Sequence, residues 1–152
     1  MKTHPQRLTA LSFIFLLIFC SDPKSEEPAL RFIRASQTVS MDSKTSFADS
    51  ILHNSVPVIQ DSQEQYVYVV NPECSFCIAS AISCCNAWNE TGIEAPFYFL
   101  IKSDYTELFE FYIERDCKKK VPFFTNDDCT CLSDGLFTLR KGHVSSYSSW
   151  SP

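Results

Sequence analysis

Only three glycines, Gly92, Gly135 and Gly142, occur in the 152 residues of this chain, too far apart to build a loop that cradles phosphate. That scarcity removes the nucleotide-binding fingerprints, and with them a nicotinamide or flavin cofactor. Histidine is equally sparse, and neither His53 nor His143 has a serine or cysteine placed beside it by a motif. A Ser/His/Asp or Cys/His hydrolase is therefore unsupported. Positive charge is short as well, with a net charge of −5. The one basic run, Lys118-Lys119-Lys120, falls where a helix should end and complements its dipole there. An acidic chain with no basic stripe is a poor candidate for binding nucleic acid, and no nucleic acid partner is expected. Asp127-Asp128 lacks the alternating ligands of a calcium loop. No apolar run reaches the about 20 residues that a membrane-spanning helix needs.

What is present begins with a leader. Lys2 and Arg7 precede the apolar stretch 8–19, and residues 1–19 together read as an export signal peptide. Their removal takes away two positive charges and no negative one, which moves the net charge from −5 to −7. Leu17-Ile18-Phe19-Cys20-Ser21 resembles a bacterial lipobox, with Cys20 as the lipid attachment residue. The alternative leaves Cys20 an ordinary residue of the signal. Residues 20–45 are polar and show no clear period, so they read as attachment site and flexible tether, with the folded domain spanning 46–152. The expected location is the bacterial cell envelope. A lipoprotein anchored there in the membrane faces the periplasm or the cell surface. Disulfides are permitted in such a compartment.

Apolar periodicity gives the elements of that domain. Phe47, Ile51 and Leu52 predict a short amphipathic helix, and the Tyr/Val-rich stretch 65–71 predicts a buried strand. Residues 74–90 fit a helix with Ile78, Ala81, Ile82, Cys85 and Trp88 on one face and Gly92 as its C-terminal cap. A second buried strand is expected at 96–102. Asp104-Tyr-Thr-Glu107 matches a capping box opening a helix with Leu108, Phe111, Tyr112 and Cys117 on its apolar face. A short strand at 121–125 follows, then a hairpin of 136–139 and 144–147 that turns at Gly142. The order implies an α/β domain whose first two strands run parallel through a right-handed crossover.

The chemistry lies in Asn71-Pro72-Glu73-Cys74-Ser75-Phe76-Cys77, directly after the first strand. Cys-x-x-Cys at a helix start puts two sulfurs one turn apart. The first meets unpaired N–H groups and the positive end of the helix dipole, which favour a thiolate, the nucleophile of disulfide exchange. A strand emptying into this pair, then β-α-β and a closing hairpin, resembles the thioredoxin-like fold, in particular exported thiol–disulfide oxidoreductases and small thioredoxin-like lipoproteins of Bacteroidetes. The resemblance covers about residues 65–147. It implies a three-layer α/β fold, with a mixed sheet of four to five strands flanked by helices, from which this chain is expected to depart by lacking the family's C-terminal helix. It also implies that Cys74 attacks a substrate disulfide and Cys77 resolves the mixed disulfide, with a protein dithiol or disulfide as partner and no cofactor.

Four features depart from the family pattern: the missing final helix, a first strand without a buried Asp or Lys to shuttle protons, and two substituted positions. Glu73 replaces the usual aromatic residue and sets a carboxylate against thiolate formation at Cys74. The family's cis-proline position falls near Asp134, with no proline between Phe123 and Pro152. They motivate an alternative: a redox-inactive thioredoxin-fold binding or scaffold lipoprotein whose Cys74–Cys77 bond is structural.

Besides Cys20, Cys74 and Cys77, five cysteines remain: Cys84, Cys85, Cys117, Cys129 and Cys131. Seven after Cys20 is an odd number, so they cannot all pair within one chain. Cys85 reads as core filling. A structural disulfide from Cys117 to Cys129 or Cys131 is the favoured reading of the loop cysteines, ahead of a second redox pair. A four-thiolate zinc site from Cys74, Cys77, Cys129 and Cys131 is poorly spaced, and no metal is expected.

Overall fold

A computed structural model of the protein describes residues 26–37, 45–58, 64–104 and 106–151. The helices are α1 (Pro28–Gln37), α2 (Thr45–Ser55), α3 (Ser75–Thr91) and α4 (Glu107–Asp116). The strands are β1 (Gln65–Val70), β2 (Phe97–Ile101), β3 (Phe123–Thr125), β4 (Gly135–Arg140) and β5 (His143–Ser148), and a 3₁₀ turn covers Asp127–Cys131. The five strands form one mixed sheet in the order β3-β2-β1-β4-β5. β1, β2 and β3 run parallel, while β4 is antiparallel to β1 and β5 to β4.

β1 is central because all six of its residues are buried, as expected of an apolar strand covered on both sides. Its side chains alternate between two cores. Tyr66, Tyr68 and Val70 join Phe97, Phe99 and Ile101 of β2 beneath α1, α3 and α4. Val67 and Val69 join Leu100, Phe137 and Leu139 against Ile51 and Leu52 of α2 and Cys129 of the 3₁₀ turn. The fold is therefore α/β, with a five-stranded mixed sheet between helices.

Three expectations need correction. Residues 28–37 are not tether but α1, which carries the fully buried Phe32 into the core against Tyr66, Phe97 and Trp150. The last turn of α1 is fastened to the sheet, where Thr138 and Ser146 donate their hydroxyls to the Ser36 carbonyl at 3.1 and 2.8 Å. Those two bonds satisfy a carbonyl that a helix end leaves unpaired. The period is hard to see because the buried face of α1 consists of one large apolar residue and a serine.

Second, α4 starts at Glu107 with Thr106 at its N-cap and no side-chain cap bond, so the capping box from Asp104 does not form. Instead Thr106 donates its hydroxyl to the Glu110 carboxylate at 2.5 Å. Third, Phe109 and Ile113 face the core, and Leu108 and Phe111 are exposed. Edge-on packing of Phe109 on Phe99 and Phe123, with ring centres 5.3 and 6.0 Å apart, fixes that rotation.

The hairpin turns as expected. Lys141 and Gly142 both take positive φ, 52° and 84°, as a two-residue turn matched to strand twist requires. Trp150, beyond β5, returns to the core. Among the described residues no helix is long and apolar enough to cross a membrane. Cys20 and the segment 1–19 lie outside the described residues.

Candidate functional site

Cys74 sits where β1, a short turn and α3 meet. The Asn71 side chain accepts the Glu73 N–H at 3.0 Å, and its carbonyl accepts the Cys74 N–H at 3.4 Å. Pro72, which cannot donate, is buried between them. This self-bonded turn, an Asx geometry, aims the chain into α3. Cys74 is the N-cap, with extended backbone, and its carbonyl accepts the Ile78 N–H at 3.0 Å.

Cys74 and Cys77 form a disulfide with Cα atoms 5.1 Å apart. The Cys77 N–H points at the Cys74 sulfur at 3.2 Å, doing for sulfur what a capping N–H does for an oxygen. The first turn of α3 holds no acidic residue, so nothing within it neutralises the dipole at Cys74. Both cysteines are half-buried. Between them Ser75 and Phe76 are exposed, Phe76 at 61%.

Charge converges on this turn from two other strand ends. Asp134, just before β4, accepts the Asn71 N–H at 3.2 Å and pairs with the Lys102 ammonium at 2.5 Å. Lys102, just past β2, also donates to the Leu132 carbonyl, and its own N–H reaches the Val70 carbonyl at 3.1 Å. The Tyr147 hydroxyl donates to the Asp134 carbonyl at 2.8 Å. The Asp134 carboxylate thus anchors the Cys74 turn. Beneath it, burial drives the Tyr68 hydroxyl and the Cys84 thiol well above their ordinary ranges and keeps both neutral.

The remaining cysteines divide differently from expectation. Cys117, at the C-terminal end of α4, lies against Cys85 of α3 with sulfurs 2.9 Å apart, and not against the loop cysteines. Cys129 is a buried free thiol on the α2 side of the sheet, donating to the Asn126 carbonyl at 2.7 Å. Burial pushes it up to about 11. Cys131 is an exposed free thiol. Cys129 therefore packs across the sheet from the face that holds Cys117. Among the described residues no group of three or more potential metal ligands converges. His53 and His143, isolated in sequence, face each other with ring centres 6.0 Å apart, and the Asp49 carboxylate lies 3.6 Å from His143 Nδ1.

Sequence reasoning missed Lys102 and Asp134 as parts of the site, and missed Cys85 as the neighbour of Cys117. The signal for the first pair was a charged residue ending an apolar strand and an aspartate just ahead of Gly135. Comparison of the chain with protein-family models, curated proteins and solved structures gave no match.

Proposed function

We propose that the protein is a thioredoxin-like thiol–disulfide exchange protein of the bacterial cell envelope. Residues 1–19 would export it, and lipid on Cys20 would anchor it. One observation carries the reading: a Cys74–Cys77 disulfide at the N-terminus of α3, at the end of the central parallel strand and open to solvent on one side.

In the reduced form the Cys74 thiolate attacks one sulfur of an external disulfide, forming a mixed disulfide and releasing the first partner thiolate. Cys77 then attacks the Cys74 sulfur, closes Cys74–Cys77 and releases the second. Two electrons pass from the pair to the substrate, and a partner dithiol restores them. Asn71, held by Asp134, fixes the turn that presents Cys74, and exposed Phe76 offers an apolar contact to a partner polypeptide.

The test is capture: Cys77→Ser should accumulate mixed disulfides through Cys74 under mild oxidation, and the Cys74→Ser/Cys77→Ser variant should not. Absence of any adduct from Cys77→Ser overturns the reading. A structural bond in a binding or scaffold lipoprotein is the second reading. Glu73, exposed immediately before Cys74, favours it, because its carboxylate opposes a thiolate there.

A further inference from the structure

We propose that Cys85 and Cys117 are a second oxidisable dithiol, separate from Cys74–Cys77, that closes to a disulfide between α3 and α4 by exchange with an external disulfide. The two sulfurs stand 2.9 Å apart as free thiols. A disulfide bond, at about 2.05 Å, is reached by a shift of about 1 Å or less.

The approach is held by the backbone. Asn86, next to Cys85, grips both neighbours of Cys117: its amide donates to the Asp116 carbonyl at 3.1 Å, and its oxygen accepts the Lys118 N–H at 2.9 Å. Lys118 is further paired with Glu90 at 2.6 Å, and the Cys117 N–H caps the Ile113 carbonyl at 3.0 Å. Cys117 is thereby clamped onto α3 through backbone contacts that do not involve its sulfur.

Exposure assigns the roles. Cys117 is partly exposed and Cys85 is buried, so Cys117 meets an incoming disulfide first. The sulfur–sulfur hydrogen bond with Cys85 and a backbone N–H at Lys119 together lower the Cys117 thiol below its ordinary range. The Cys117 thiolate attacks one sulfur of a small-molecule or protein disulfide, giving a mixed disulfide and one departing thiolate. Cys85 loses its proton to that thiolate and attacks the Cys117 sulfur, and the second thiolate departs and takes up a proton from water. The external disulfide gains two electrons and becomes two thiols, while the pair loses two electrons and becomes the bond. Closure staples the helix that carries Cys74 and Cys77 to α4.

The probe is oxidised glutathione acting on the reduced full-length Cys74→Ser/Cys77→Ser chain, followed by maleimide blocking, digestion and mass spectrometry. The expected products are a Cys85–Cys117 cross-linked peptide and maleimide-labelled Cys84. Adding Cys85→Ser should leave a glutathione adduct on Cys117 instead. Recovery of both Cys85 and Cys117 as maleimide adducts, or of Cys117 linked to any other cysteine, overturns the proposal. The same mapping on the unsubstituted chain decides the question if the double variant does not fold. Because Cys74 and Cys77 are absent from the first experiment, its outcome is independent of the exchange reaction proposed for them.

Discussion

Replacing Phe32 by alanine removes a fully buried ring from the junction of α1, α3 and the sheet. The ring meets Tyr66 edge-on with centres 5.0 Å apart, and Phe97 and Trp150 at 6.4 Å each. A buried Phe→Ala change costs about 3–5 kcal/mol, from lost transfer energy plus the cavity left behind. The upper part of that range applies where the walls cannot collapse. Here α1 is pinned at its end by the Thr138 and Ser146 hydroxyls on the Ser36 carbonyl. A loss of about 4 kcal/mol, at a urea slope of about 2 kcal/mol per M, lowers the unfolding midpoint by about 2 M. Urea unfolding of the full chain, followed by tryptophan fluorescence, reads this directly because Trp150 packs on Phe32. Leu30→Ala, on the exposed side of the same helix, should stay within about 0.5 kcal/mol. A midpoint shift for Phe32→Ala as small as that of Leu30→Ala would refute the argument and return 28–37 to the status of a tether.

Three further outcomes follow from the same geometry. Gly135→Ala should cost about 1–3 kcal/mol by chemical denaturation. Its φ is 149°, and an added Cβ would lie 2.6 Å from the Ser148 carbonyl oxygen; a neutral result would mean that β4 does not start as described. Asp134→Asn should lose about 1–3 kcal/mol, because the Lys102 ammonium, largely shielded at 13% side-chain exposure, loses its carboxylate. Amide exchange at Asn71 should also quicken, and unchanged exchange would detach Asp134 from the Cys74 turn. Alkylation of Cys117 should rise with pH through a midpoint below that of an ordinary thiol, because only the thiolate reacts and the hydrogen bond with Cys85 stabilises it. Cys85→Ala should move that midpoint upward, and an unmoved midpoint would contradict the contact.

The α/β class, the parallel first pair of strands and the hairpin at Gly142 were legible because each rests on a local signal. Those signals were the unbroken Tyr/Val run of β1, the 3–4 spacing in α3 with Gly92 behind it, and a glycine between two apolar stretches. The placement of Cys74 and Cys77 was legible for the same reason, since strand end and helix start are adjacent in sequence. What was not legible depended on packing. Phe32 becomes core only because Tyr66, Phe97 and Trp150 assemble around it, and α4 turns Phe109 inward because Phe99 and Phe123 receive it. The Lys102–Asp134 pair and the Cys85–Cys117 contact join residues 32 positions apart. No periodicity reports such distances. Cysteine counting favoured a bridge from Cys117 to the nearby loop, whereas the sheet separates Cys117 from Cys129.

The reduction potential of Cys74–Cys77 tests the central claim most directly. It is read by equilibrating the full-length chain in graded dithiol–disulfide buffers and trapping the thiols. A working exchanger should titrate between about −120 and −270 mV. A value below about −300 mV would contradict the account and make the bond a structural one.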